Sequence, residues 1–297
     1  GLAMRLDSTY AFPWNMTLGA IKDNAIVEKV GNRIGKHAKR LGVHINFAPD
    51  IDININPQNP IIGNRSFGED RENVAQKGIA YMKGMENAGV LSSGKHFPGH
   101  GDTAVDSHKA LPVIDFTRER LDSIELYPYR KLIKEGLSSV MVAHLSVPSL
   151  EIKEGYPSSL SEQIIGDVLQ EQLNFKGLVF TDALNMKGVS NFAKEGEVEL
   201  SAFLAGNDIL LMPLDVAKAK KILMAKYKVG LNDYKPIDTN NLYEDLNSLD
   251  DDVLYEEAIE NAITVVKNDF SLMAIKKLEN KKIAYVKFGD AESDPFL

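Results

Sequence analysis

Residues 177–186 read Gly177-Leu178-Val179-Phe180-Thr181-Asp182-Ala183-Leu184-Asn185-Met186. The apolar run 177–180 predicts a short buried strand, and a carboxylate follows almost at once. Outward from this stretch the same unit recurs. Upstream, the spacing predicts a helix over 161–173 opened by Ser161, a strand over 139–147, a helix over 118–135 interrupted at Pro128, and a strand over 90–95. Before these come a helix over 71–88 ended by Gly89, a strand over 43–49 ended by Pro49, and an amphipathic helix over 23–41. The apolar positions of that first helix are Ile26, Val27, Val30, Ile34, Ala38 and Leu41, near helical spacing. Downstream the pattern predicts a helix over 197–205, a strand over 208–212 and a helix over 216–227.

Buried apolar strands alternating with helices imply an α/β fold with a parallel sheet and crossover helices. Long polar loops follow the strands, over 50–70 and 97–109, and short ones follow the helices. That asymmetry suits a (β/α)8 TIM-type barrel, whose active site sits on the loops at the strand C-termini. A doubly wound sheet is the alternative reading of the same alternation. The barrel is expected over 1–231, with its first strands before residue 1, because the chain opens at Gly1-Leu2-Ala3-Met4-Arg5 without an initiator Met. A polar linker and a connecting helix are expected over 232–275. Lys281-Lys282-Ile283-Ala284-Tyr285-Val286-Lys287-Phe288 reads as a strand opening a second α/β sandwich domain, expected over 276–297 and cut at Leu297. An additional C-terminal domain in the full chain follows from that reading. The multidomain build favours an extracytoplasmic address, periplasm or cell envelope, with the cytoplasm as the alternative.

Composition narrows the function. The 297 residues carry 34 Lys+Arg against 42 Asp+Glu, a net charge of −8, and show no basic stripe of the kind that binds nucleic acid. The short basic run Lys36-His37-Ala38-Lys39-Arg40 reads as a solvated helix face. There is no cysteine, which excludes disulfides and thiol catalysis. No apolar run approaches the roughly 18 residues of a membrane span.

The densest polar cluster is Lys95-His96-Phe97-Pro98-Gly99-His100-Gly101-Asp102-Thr103, continued by Asp106-Ser107-His108. It places His96, His100 and His108 on a loop after a predicted strand. Gly89 to Lys95 spells G-x-x-x-x-G-K, but His96 stands where a phosphate loop needs Ser or Thr, and Phe97-Pro98-Gly99 prevents the helix that would cradle phosphate. His96 and His100 have the spacing of helical metal ligands, yet Pro98, Gly99 and Gly101 oppose a helix; a loop site for Zn²⁺ stays open as a second reading. The third reading is an acid/base pair, in which Asp106 orients one ring nitrogen of His108 and leaves the other for substrate. Such a pair needs a nucleophile, and Asp182 is the candidate, with a helix N-cap as its bland alternative. Asp50, Asp52, Arg65 and His144 also fall at strand ends, each with a reading as turn or cap, and together they outline a sugar-sized cleft.

Lys95 to Thr103 with Asp106-Ser107-His108 resembles the signature of the β-N-acetylglucosaminidases of glycoside hydrolase family 3. Asn64-Arg65-Ser66-Phe67-Gly68 and Phe180-Thr181-Asp182-Ala183-Leu184-Asn185-Met186 resemble that family's other marker segments, in the same order. The resemblance covers residues 1 to about 231. It implies a retaining hydrolase that releases terminal β-linked N-acetylglucosamine from cell-wall or chitin-type oligosaccharides, with no metal and no cofactor. Asp182 would be the nucleophile and His108, steered by Asp106, the acid/base. Arg65, Lys95, His96, His144 and Met186 would bind the sugar. A His in place of the second carboxyl means that the usual separation of about 5–5.5 Å between paired carboxyls does not carry over. The family's β-glucosidase branch and a silent glycan-binding barrel are the alternatives, as is transfer of the sugar to phosphate instead of water. One departure stands out: the acidic residue that the family carries ahead of a segment like Gly1-Leu2-Ala3-Met4-Arg5-Leu6 would precede residue 1.

Overall fold

The structure, a computed structural model, describes residues 11–104, 110–194, 196–220 and Asn240. The domain division expected at 231/232 and the elements expected beyond it therefore lie outside the described residues, as does most of the helix expected over 216–227.

Four parallel strands form one sheet: β1 (Ile45–Asn46), β2 (Leu91–Phe97), β3 (Ser139–Val142) and β4 (Leu178–Thr181). Their order is β1-β2-β3-β4, each strand beside its successor in sequence. A doubly wound sheet reverses its strand order at a switch point, whereas a barrel wall runs on in one direction. The wall also curls. In a flat sheet β1 and β4 would lie about 14 Å apart, three strand spacings. Yet the ring of Phe47, just past β1, meets that of Phe180 in β4 edge-on with centroids 5.3 Å apart.

Three of the expected strands are shorter than their apolar runs, and 139–147 forms ladder only over Ser139–Val142. Only Ile45–Asn46 of 43–49 forms regular ladder; beyond it the chain stays against β2 through Ser93 N–H to Ala48 C=O (2.8 Å) and Ile51 N–H to Lys95 C=O (2.9 Å). Residues 208–212 reach β4 through a single bridge, Phe180 to Ile209, because the Leu211 N–H turns to the Thr181 hydroxyl (2.9 Å) and not to a backbone carbonyl. Strand β2 is longer than expected, running through His96 and Phe97. Its register against β3 slips between Lys95 and Phe97. The slip lets Lys95 and His96 leave the regular pleat.

The helices follow their caps. Helix α1 is a short turn, Asn15–Gly19. Asp23 caps α2 (Asn24–Arg40) by accepting the Ala25 N–H at 2.9 Å, and Asp70 caps α3 (Arg71–Asn87) through the Asn73 N–H at 2.8 Å. The single helix expected over 118–135 is two, α4 (Arg118–Ser123) and α5 (Tyr127–Lys134). Pro128 starts α5 instead of interrupting a longer helix, since a first-turn residue needs no N–H donor. The helix Gln163–Gln172 is wound as a π-helix, with the Ser161 hydroxyl accepting the Ile164 N–H at 3.0 Å. Short α6 (Lys187–Ser190) and α7 (Glu197–Leu204) follow, and residues 216–220 are again helical.

Helices α2 and α3 cross on small residues. A Cβ at Gly84 would lie 2.0 Å from the Glu28 carbonyl oxygen, and one at Gly31 2.3 Å from that of Tyr81. Asn32 then donates to the Gly84 carbonyl at 3.1 Å. Gly84→Ala is expected to cost about 3 kcal/mol in urea unfolding, because rigid backbone blocks the added methyl; a loss under about 0.5 kcal/mol would contradict this crossing.

Candidate active site

The C-terminal ends of the strands converge on a cluster of charged side chains whose centre is Asp52. Asp50 and Asp52 are two residues apart in extended chain, so both carboxylates fall on one side of the backbone. Asp52 is buried and accepts the backbone N–H of His96 (3.2 Å), the Nδ1–H of the same ring (2.6 Å) and the backbone N–H of His100 (2.6 Å). Its own carbonyl accepts the Ser66 hydroxyl at 2.6 Å, which anchors the 3₁₀ turn Gly63–Arg65. Gly101 is required beside it: a Cβ there would lie 1.9 Å from the Ile53 carbonyl oxygen.

The bonding fixes the protonation of His96. A carboxylate only accepts, so Nδ1 carries the proton. Arg65 only donates, and its Nη2 sits 3.0 Å from His96 Nε2, so Nε2 offers a lone pair. His96 is therefore a neutral imidazole, in keeping with burial, which holds its pKa well below the ordinary value. Arg65 is pinned again by Asp50 Oδ2 (3.3 Å) and by the Ile61 carbonyl (3.3 Å), and its own carbonyl accepts Asn15 Nδ2 at 2.7 Å.

Asp182 ends β4 and is half-buried. Its N–H continues the ladder to the Val142 carbonyl (2.8 Å), and its Oδ1 accepts the Ala183 N–H (2.8 Å). No helix starts there; α6 begins only after Met186, so the capping alternative falls. Burial by itself would raise this carboxyl. The neighbouring rings of His96 and His144, the Ala183 N–H and the Lys95 ammonium oppose burial and bring it below the ordinary carboxylate value. Of these, the Ala183 N–H and the Lys95 ammonium act whether or not the rings are charged. Lys95 is itself lowered by burial, against the pull of Asp50, Asp182 and Asp52.

His144 is fully buried. Its Nε2 faces the Ala183 carbonyl at 3.0 Å and must donate, while Nδ1 lies 2.7 Å from the Ser159 hydroxyl. The structure thus places it behind Asp182, holding the backbone of the next residue. Met186 is also buried, with its N–H on the Ala183 carbonyl at 3.0 Å. Asp106 and His108 lie outside the described residues. The chain that leads to them is anchored twice. His100 Nδ1 meets the Thr103 hydroxyl at 2.6 Å under Asn59, and Arg120 Nη2 bridges Asp102 (3.2 Å) and Glu125 (3.1 Å).

Asp50, Asp52 and His96 bring potential metal-ligand atoms within 4.8 Å of one another. In this arrangement Nδ1–H is committed to Asp52, and the Arg65 guanidinium supplies the positive charge facing Asp50 and His96. Asp52 and His96 are thus bonded to each other, while Asp50 Oδ2 faces Arg65 at 3.3 Å without a hydrogen bond. The signal for it in the sequence was Asp50-Ile51-Asp52 after an apolar strand; the long-range partners Asn59 and Ser159 had none.

A curled wall of parallel strands with a charged pocket at its C-terminal edge defines a (β/α)8-type barrel protein. The chain belongs to glycosyl hydrolase family 3: the model of that family's N-terminal domain matches residues 1–240. It is 37% identical over 249 residues to β-hexosaminidase A of Pseudoalteromonas piscicida, covering 79% of this chain and 41% of that protein. It is similar to the solved structure of a family 3 β-N-acetylglucosaminidase from a Paenibacillus species, at 37% identity and a TM-score of 0.72, over 89% of this chain and 49% of that one. A β-glucoside phosphorylase is similar at 29% identity and a TM-score of 0.71, over 76% of this chain and 42% of that one. The chain thus spans about two-fifths to one-half of the length of these proteins.

Two stability predictions follow from the network. Asp52→Asn turns an amide donor toward buried N–H groups and should cost about 3 kcal/mol; an unchanged urea midpoint would remove Asp52 from the centre of the site. Asp50 behaves oppositely. Burial, then the Asp52 charge, push its pKa from an ordinary 3.8 up to about 6. A raised carboxyl contributes stability below the unfolded value and loses it as pH rises through the folded one. The loss is about 3 kcal/mol by pH 7. Asp50→Asn should therefore gain stability relative to the unsubstituted protein as pH rises from about 4 to about 7, by urea unfolding; a constant difference would show that Asp50 is not strained by burial.

Proposed function

We propose that this chain carries the catalytic barrel of a retaining β-N-acetylglucosaminidase acting on the non-reducing end of cell-wall or chitin-type oligosaccharides. The observation that carries the reading is Asp182: a half-buried carboxyl at the end of β4, kept below the ordinary carboxylate value and so ionised at neutral pH, as a nucleophile must be. The similarity to a β-hexosaminidase and to a β-N-acetylglucosaminidase suggests the sugar.

In the proposed reaction Asp182 attacks the anomeric carbon and the glycosidic C–O bond breaks. His108 gives its proton to the leaving oxygen, with Asp106 stabilising the ring that has carried it. Water then attacks the glycosyl-enzyme as His108 takes a proton back, which frees Asp182 with the anomeric configuration retained. Lys95 and the free edge of the Arg65 fork hold sugar hydroxyls. His96, with both nitrogens engaged, orients Arg65; His144 sets the Ala183 backbone that bonds to Asp182; Met186 gives an apolar side to the cleft. Among the described residues no helix is long and apolar enough to cross a membrane.

The test is hydrolysis of p-nitrophenyl β-N-acetylglucosaminide by the intact chain. Asp182→Asn should abolish turnover, and near-normal turnover would overturn the nucleophile. His108→Ala should lose about 10²–10⁴-fold on a disaccharide with a poor leaving group and less on the aryl substrate; equal losses on both would remove His108 as the acid. The likeness to a β-glucoside phosphorylase favours one second reading, transfer of the sugar to phosphate. A sugar 1-phosphate formed in phosphate buffer, in place of free sugar, would establish it.

A further inference from the structure

The proposed chemistry makes no use of Asp50. Its carboxylate is 3% exposed in the segment after β1. Oδ1 accepts the Asp52 N–H at 3.3 Å; Oδ2 is buried, accepts no hydrogen bond, and faces Arg65 Nη2 at 3.3 Å and His96 Nδ1 at 3.9 Å. The groups around it come from each neighbouring element. Asp52 belongs to its own segment, Arg65 to the 3₁₀ turn Gly63–Arg65, and Lys95 and His96 to the end of β2. From α5 comes Tyr129, a buried phenol whose pKa is raised by burial and by the charges of Asp52 and Asp50.

A buried carboxylate oxygen without a hydrogen bond is costly. Its return here is electrostatic. His96 is neutral and Asp52 spends its oxygens on N–H groups, so Asp50 is the anion that faces the guanidinium directly. Arg65 Nη2 is held between His96 Nε2 and Asp50 Oδ2, while the side chain stays 32% exposed and within reach of a ligand. Taking the charge from Asp50 leaves the fork tied by a neutral ring and one carbonyl.

We propose that Asp50 is a positioning residue for sugar binding that acts through Arg65: the ionised carboxylate holds the guanidinium fork, so the pocket takes its sugar in the Asp50-ionised form and expels a proton when it binds from slightly acid solution. This rests on the reading of the pocket as a sugar site. The lift of Asp50 to about 6 puts the transition in an accessible range. Affinity is expected to be flat above about pH 7 and to fall by up to tenfold per unit below about pH 6.

Calorimetric titration of N-acetylglucosamine into the intact chain at pH 6, in two buffers of different ionisation enthalpy, reads the proton directly. The unsubstituted protein should release about half a proton more per site than Asp50→Asn. At pH 7.5 the variant should bind about tenfold more weakly, as expected for one lost charge-assisted contact, with the loss appearing in KM and not in kcat. Equal proton release by both proteins, or an affinity of the unsubstituted protein that does not change between pH 5.5 and 7.5, would overturn the inference. The second measurement decides even if the variant fails to fold. If neither protein binds the sugar at any pH, the sugar-site reading fails and takes this inference with it.

Discussion

The Asp52 carboxylate, with three N–H groups of His96 and His100 pointed at it, is the constraint on which the pocket depends. It lies in the segment after β1, while its donors come from the end of β2 and the loop beyond, so it fastens that segment to β2. The same bond to Nδ1 dictates the rest of the chain of contacts. Once Nδ1 is a donor, Nε2 must accept, and Arg65 is the neighbour that donates. Arg65 in turn draws Asp50 into the site. Each group's role is set by what its neighbour can offer, and the order of assignment runs outward from Asp52.

The pocket shows two ways of burying a carboxylate. Asp52 is compensated by hydrogen bonds. Asp50 is not, and burial pushes it up to about 6. Asp182 lies between them: half-buried, with one backbone N–H and a lysine to offset desolvation, it stays ionised. A nucleophile needs such a balance, since a fully satisfied carboxylate is a poor attacker and an uncompensated one is protonated.

Much of this was legible in the sequence because it was local. The run Leu178-Val179-Phe180 followed by Asp182 gave both a strand and a carboxylate at its catalytic end. The Asp23 and Asp70 caps stood directly before their helices. What was not legible was set by distant partners. Asp52 by itself read as a turn or cap, and as part of a cleft only beside Asp50, Arg65 and His144, because its donors are 44 and 48 positions away. The Ser159 hydroxyl and Ala183 carbonyl that meet the His144 ring are likewise not apparent in Val142-Ala143-His144-Leu145. Hydrophobic runs overstated β1, β3 and 208–212, since apolar content does not say whether the ladder bonds go to backbone or, as with Leu211, to the Thr181 hydroxyl.

The central claim is that Asp182 becomes covalently bonded to the sugar. The most direct measurement is mass spectrometry of the intact chain, then of its peptides, after incubation with an activated 5-fluoro N-acetylglucosaminyl fluoride, which slows release of the glycosyl-enzyme. The account predicts one sugar per chain, attached at Asp182. A label on another carboxylate, or steady turnover with inversion of the anomeric centre and no label at all, would contradict it.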